Sequence, residues 1–179
     1  GVRFRSLGDM GDPAAQAACH DADGADEICL LDISATVEGR RTMLEVVESV
    51  SASVTVPLSV GGGVRSASDA RDLLMAGADK VCINSAAARM PGIIGEMAAD
   101  FGSQCVVLAV DVAGGRRGRV ALDGGRTVTE LEPAAWAAEA ERLGAGEILL
   151  TSIRRDGTGS GFDVELVSDV ASSVSIPVV

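Results

Sequence analysis

The chain has 179 residues, 47% of them hydrophobic, enough for one domain with a buried core. Its net charge of −11 argues against nucleic acid as a partner, and no run reaches the ~18 apolar residues of a membrane span. One histidine and no tyrosine exclude a histidine metal cluster and leave carboxylates to carry any proton transfer.

The opening "GVRFRSLGDMGDP" holds no signal-peptide core, and the four cysteines form no CxxC pair, so a cytoplasmic protein with reduced thiols is expected. Cys29, Cys82 and Cys105 lie in apolar runs and are expected to be buried. His20, in "CHDADGADE", reads as a surface helix residue. Fourteen arginines against one lysine fit a high-salt cytoplasm or a GC-rich genome equally well. No metal or cofactor is expected.

In chain order, "DPAAQAACHDAD" predicts a helix with Asp12-Pro13 at its first turn, and "EICLLDI" (27–33) a strand. "RRTMLEVVESVSAS" predicts the next helix, and "TVPLSV" (55–60) a strand that runs into the glycine triplet of "SVGGGVR". A helix from Ser66 to about Gly77 precedes the strand "KVCINS" (80–85). "PGIIGEMAADFG" predicts a helix ending at Gly102, and "CVVLAVD" (105–111) the following strand. Residues 114–128 break this rhythm and predict a hairpin excursion. Pro133 opens a helix closing near Gly144, followed by the strand "EILLTS" (147–152), the helix "FDVELVSDVASSV" and the beginning of a strand at "IPVV" (176–179). Uniformly apolar strands separated by helices predict a parallel sheet with covered faces.

An internal repeat selects the architecture. Residues 24–59 align without a gap on residues 144–179, with 13 of 36 positions identical and an offset of 120 residues. Four βα units of about 30 residues account for that period, so the fold class is α/β: a (βα)₈ TIM barrel of two repeated half-barrels. A doubly wound open sheet gives no reason for such a repeat. The same offset carries Gly61–Gly63 just past Val179 and carries Asp111 to just before Gly1. Residues 1–179 are therefore expected to form a single partial barrel domain, strands two to six and the start of strand seven, with two raw sheet edges.

Sites in such barrels lie at the C-terminal ends of the strands, here Asp32, the Gly61–Gly63 turn, Asn84-Ser85, Asp111 and Thr151-Ser152. A strand-ending aspartate also serves as an ordinary helix cap. The glycine turn, with Gly62 and Gly63 before a helix, suits a phosphate cradle, although glycine is also used for turning alone. A second cradle, placed by the repeat, implies a substrate with phosphates at both ends. At the opposite face "GADE", "GADK" and "GAGE" set Glu27, Lys80 and Glu147 at equivalent strand starts. The three form either an ion-paired plug or a gate to an axial channel.

Together these residues resemble the cyclase subunit of imidazole glycerol phosphate synthase, the HisF family of histidine biosynthesis. The likeness is carried by "GDP", "GADEICLLDISATVEGRRTMLEVVE", "VPLSVGGGVRS", "GADKVCINSAA", "FGSQCVVLAVD", "GAGEILLTSIRRDGT" and "IPVV". It implies a cytoplasmic lyase-type cyclase that uses ammonia from a partner glutaminase subunit. Its bisphosphorylated ribotide substrate becomes imidazole glycerol phosphate and an aminoimidazole carboxamide ribotide. It implies one catalytic aspartate at Asp111, with the other on the strand absent before Gly1, so that these 179 residues by themselves are expected to be inactive. Gly62, Gly63, Asn84, Ser85 and Thr151 match phosphate and substrate binding, as do Asp156, Gly157 and Thr158. Glu27, Lys80 and Glu147 match the ammonia gate, and Asp79 the glutaminase interface. The related phosphoribosyl isomerase of the same pathway, and an inert phosphate-binding or docking module, are the alternatives. Arg154 replaces a usual acidic residue, and "VAGGR" replaces a usual basic segment after Asp111.

Overall fold

A computed structural model describes residues 2–4, 11–33, 44–115 and 118–179. Helix α1 (Pro13–Ala22) begins where the Asp12 carboxylate accepts the Ala15 N–H at 3.0 Å and Pro13 fills the first turn, where no N–H is needed. Strand β1 (Ile28–Leu31) follows, shorter at both ends than its apolar run. Helix α2 (Leu44–Ser51) and strand β2 (Leu58–Gly61) come next; the predicted beginning of α2, and the rest of 34–43, lie outside the described residues. Ser66 caps helix α3 (Ala67–Met75) by accepting the Asp69 N–H at 3.1 Å.

Strand β3 (Lys80–Ile83) ends two residues early because Ser85 opens a short helix, α4 (Ser85–Arg89), that no periodicity in five residues could announce. Helix α5 (Gly92–Phe101) leads to strand β4 (Val106–Ala113), which overruns Asp111 by two residues to pair with the excursion. That excursion is antiparallel: β5 (Arg119–Leu122) pairs with the end of β4, and β6 (Thr127–Val128) pairs with β5. Helix α6 (Pro133–Leu143), strand β7 (Glu147–Ser152) and helix α7 (Val164–Ala171) complete the order. At "IPVV" a single parallel bridge joins Ile148 to Val178.

The parallel strands lie side by side in chain order, β1-β2-β3-β4-β7, with no reversal. A doubly wound sheet reverses its order at a switch point, so that alternative is excluded. Each crossover returns a helix to the same face. Along β4, Val106, Leu108, Val110 and Val112 are fully buried beneath that helical layer, whereas Ala109 and Asp111, pointing the other way, are half-buried. Ile148, Val60 and Val81 share the buried outer side with Ile93, Ile94, Met97 and Trp136 of the helices. The result is an α/β curled sheet, with a dry core between strands and helices and an inner face available for chemistry.

The cysteine expectation needs correcting. All four thiols are free, but only Cys82 is buried; Cys29 and Cys19 are exposed and Cys105 is intermediate. Apolar neighbours in sequence report burial of a strand's outer face. Cys29 occupies the inner face of β1, and Cys105 sits in the turn before β4. His20, on α1, is exposed as expected.

Candidate active site

Side chains alternate along a strand, so every second residue stacks up the inner face. Alternate strands supply each layer of a curled parallel sheet. Glu27, Lys80 and Glu147 form the lowest layer, from the starts of β1, β3 and β7. Lys80 Nζ donates to Glu27 Oε2 and to Glu147 Oε2, both at 2.6 Å. Ser59 of β2 joins the ring by donating its hydroxyl to Glu27 Oε1 at 2.5 Å. The Lys80 and Glu147 side chains are 21% and 13% exposed. Burial pushes the Lys80 ammonium toward neutrality, but its two carboxylate partners outweigh that and hold its pKa above the ordinary 10.5.

Two residues further along the same strands lie Cys29, Cys82 and Leu149. Two further again lie Leu31, Asn84 and Thr151. Asp111 of β4 stands opposite Thr151 in the register with β7. Asn84 Nδ2 donates to Asp111 Oδ2 at 2.8 Å, and the Thr151 hydroxyl also bonds the carboxyl. Burial is the largest influence on Asp111 and raises its pKa to about 6; the Asn84 and Thr151 bonds lower it, and the nearby negative charge of Asp156 adds to the rise. A carboxyl with that pKa both gives and takes a proton near neutral pH.

The three glycines of "SVGGGVR" are required for different reasons. At Gly61 a Cβ would lie 2.7 Å from Cys82 Cβ and 2.9 Å from Leu31 Cδ2, so an inner-face side chain there would collide with both neighbouring strands. At Gly62, φ is +102° and a Cβ would lie 2.1 Å from the Asp32 carbonyl oxygen. Gly63 also has positive φ. The turn therefore brings bare backbone against the end of β1, just before the N-terminus of α3. Asp32 donates its N–H to the Gly61 carbonyl at 2.8 Å, holding the two strand ends together.

The other expected residues are brought to the same rim with varied attachments. Ser85 is buried, and its hydroxyl accepts the Asp123 N–H at 3.0 Å, tying α4 to the excursion; Arg89 clamps Asp123 from the other side at 2.7 Å. Asp156 accepts the N–H groups of Arg3, through its carbonyl at 3.0 Å, and of Phe4, through Oδ2 at 3.4 Å. Gly157 has positive φ, and the Thr158 hydroxyl donates to the Arg155 carbonyl at 2.7 Å, closing the turn after β7. Asp79 is exposed at the ring face, and its carboxylate accepts the Leu58 N–H at 2.8 Å.

Asp163 was not among the expected residues. It is 8% exposed and accepts from Ser152 at 3.0 Å and from Arg154 at 3.2 Å. Arg154 thus anchors the loop after β7 to the start of α7. Burial works to raise the Asp163 pKa, but Ser152 and Arg154 prevail and leave it lowered. Among the described residues no group of three or more His, Cys, Asp or Glu side chains is placed to hold a metal, and no helix is long and apolar enough to cross a membrane.

Residues 1–179 match the family model described as "Histidine biosynthesis protein". The chain is 51% identical over 180 residues to the imidazole glycerol phosphate synthase subunit HisF of Pyrobaculum aerophilum, covering 100% of this chain and 71% of that protein. Identity is 51% to the HisF subunit of Bacillus cereus and 52% to that of Geobacillus thermodenitrificans, each match covering all of this chain and 72% of the relative. The chain belongs to the histidine-biosynthesis family, as a member of its imidazole glycerol phosphate synthase HisF group.

Proposed function

We propose that this chain supplies part of the cyclase subunit of imidazole glycerol phosphate synthase on a (βα)₈-barrel framework, with Asp111 as a general acid–base of the intact protein. The observation that carries the reading is the half-buried Asp111 carboxyl, held between Asn84 and Thr151 with a pKa of about 6 near the C-terminal end of β4. Asn84 donates to one carboxyl oxygen and fixes its orientation toward the mouth. The substrate is a bisphosphorylated ribulosyl-formimino-carboxamide ribotide. One phosphate rests on the Gly62-Gly63 backbone, where the positive end of α3 favours an anion, with Ser85 and Asn84 beside it. Asp156, Gly157 and Thr158 line the substrate on the side of β7.

Ammonia arrives from the opposite face. A partner glutaminase subunit docks there, with Asp79 at the interface, and ammonia passes the Glu27–Lys80–Glu147 ring toward Asp111. Attack of ammonia, ring closure and bond cleavage each need a proton moved, and a lyase of this kind uses Asp111 for such a transfer. The products are imidazole glycerol phosphate and aminoimidazole carboxamide ribotide.

The test is to supply the intact gene product with the ribotide and free ammonium, following both products by chromatography. Asp111→Asn is expected to cut turnover by ~10²–10⁴-fold with substrate affinity nearly unchanged. Normal turnover in that variant, or conversion of the ribotide by isomerisation without ammonia uptake, would overturn the reading.

A further inference from the structure

Helix α4 holds Asp123 of the excursion at two points. Ser85 and Arg89 open and close this helix, four residues apart and therefore on one side of it. The Ser85 hydroxyl accepts the Asp123 N–H at 3.0 Å, while Arg89 Nη2 donates to both Asp123 carboxylate oxygens at 2.7 Å. Thr127 of β6 adds a bond to Asp123 Oδ2 at 3.1 Å. Backbone and side chain of one residue are thus fixed together, although Asp123 has φ +55°, a left-handed conformation that costs an L residue energy. Arg89 is the largest influence on the Asp123 carboxyl and holds its pKa below the ordinary range, so the pair stays charged at neutral pH.

The turn beyond Asp123 is packed on the other side of the mouth. A Cβ at Gly125 would lie 3.1 Å from Ile153 Cδ1 and 3.2 Å from Phe4 Cδ2. The excursion is therefore seated at two places, Asp123 on α4 and Gly125 against the loop after β7.

A serine hydroxyl has one proton and two acceptor positions. Accepting from Asp123 fills one position, confines the rotor and leaves the proton to be donated elsewhere. Gly61 stands opposite Cys82 in the register of β2 and β3, so the Gly62-Gly63 turn and Asn84-Ser85 leave adjacent strands at the same height. Without the Asp123 bond, a serine hydroxyl at a helix start competes for nearby backbone groups instead.

We infer that Asp123, held by Arg89, is a positioning residue for anion binding: it orients the Ser85 hydroxyl to donate to a phosphate at the Gly62-Gly63 turn. The inference rests on the proposed phosphate site and makes affinity for that phosphate depend on the excursion.

Inorganic phosphate is the probe, titrated calorimetrically into the intact gene product, alongside KM and kcat for the ribotide with free ammonium. Ser85→Ala is expected to raise the phosphate Kd by ~10-fold or more, the loss of one hydrogen bond to a charged group. Arg89→Gln is expected to raise it ~3–5-fold, with KM rising in proportion and kcat nearly unchanged. Arg89→Lys should restore most of the affinity, because a single nitrogen makes both contacts. In a Ser85→Ala background, Arg89→Gln should have no further effect, since its action passes through the hydroxyl. Equal losses from Arg89→Gln with and without the serine would refute the positioning role, as would unchanged phosphate affinity in Ser85→Ala. Circular dichroism checks that each variant is folded, and Ser85→Cys, a weak donor, replaces Ser85→Ala if the latter does not fold. Phosphate binding is read without turnover, so failure of the cyclase reaction and failure of this coupling are separate results.

Discussion

Replacing Asp111 by asparagine removes a titration that burial has displaced from an ordinary 3.8 to about 6, and the same change therefore tests the energetics of the site as well as its chemistry. Below about pH 4 the carboxyl is protonated in both folded and unfolded chains. Between about pH 4 and 6 the folded protein keeps a proton that the unfolded chain has released, so this group's contribution to stability falls as pH rises. Above about pH 6 the full cost is present, about 3 kcal/mol for that displacement. Asparagine keeps the shape and an acceptor for Asn84 but loses a charge-assisted bond, so about 1 kcal/mol is returned. The variant is expected to be about 1–2 kcal/mol more stable than the parent at pH 8, a Tm rise of roughly 3–6 °C for a chain of this size. At pH 4 it should be equal or slightly less stable. Urea melts of both proteins from pH 4 to 8 measure the difference, in which the other carboxylates cancel. A difference that does not change with pH would refute the argument that Asp111 is ionised at a cost in the native fold.

Lys80→Met leaves Glu27 and Glu147 facing each other in a half-buried layer and is expected to cost about 1–3 kcal/mol in urea melts at pH 7. It should impair glutamine-dependent turnover more than turnover with free ammonium; equal effects would make the ring a structural plug. Gly62→Ala meets both a positive φ and the Asp32 carbonyl, so a loss of at least ~1–3 kcal/mol in melts is expected. A sharp rise in KM for the bisphosphorylated ribotide should accompany it. Asp163→Ala removes the acceptor that holds Ser152 and Arg154; because the Asp163 pKa is lowered, the stability it contributes is present above the ordinary carboxylate range and is lost as pH falls through it. The stability gap between parent and variant should therefore narrow in acid melts. Ile148→Ala, at a fully buried outer-face position of β7, is expected to cost about 2–5 kcal/mol in urea melts.

Much of this protein is legible in its sequence because the signals are local or periodic. Asp12-Pro13, Ser66 and Pro133 mark helix starts through groups within four residues of each other, and β7 falls on the predicted residues 147–152. The 120-residue repeat carries long-range information and was enough to prefer a singly wound sheet. Glu27, Lys80 and Glu147 meet because three copies of one short pattern begin three strands in register. Strand ends were less legible. The overrun of β4 to Ala113 depends on a partner, β5, whose pairing the sequence does not encode locally.

The sequence by itself determined the order of the elements, the winding of the sheet, and the residues that reach its rim. Only the tertiary structure decided what those residues touch. The Asn84 amide donates to Asp111, the Ser85 hydroxyl accepts from the excursion, and Cys29 is exposed although its neighbours are apolar. The physical reason is that hydrophobic pattern reports how a residue faces the helical layer, whereas hydrogen bonds across the inner face depend on strand register and curl. That register joins residues 27 to 67 positions apart, and it also brings Leu31 and Cys82 together over the absent side chain of Gly61.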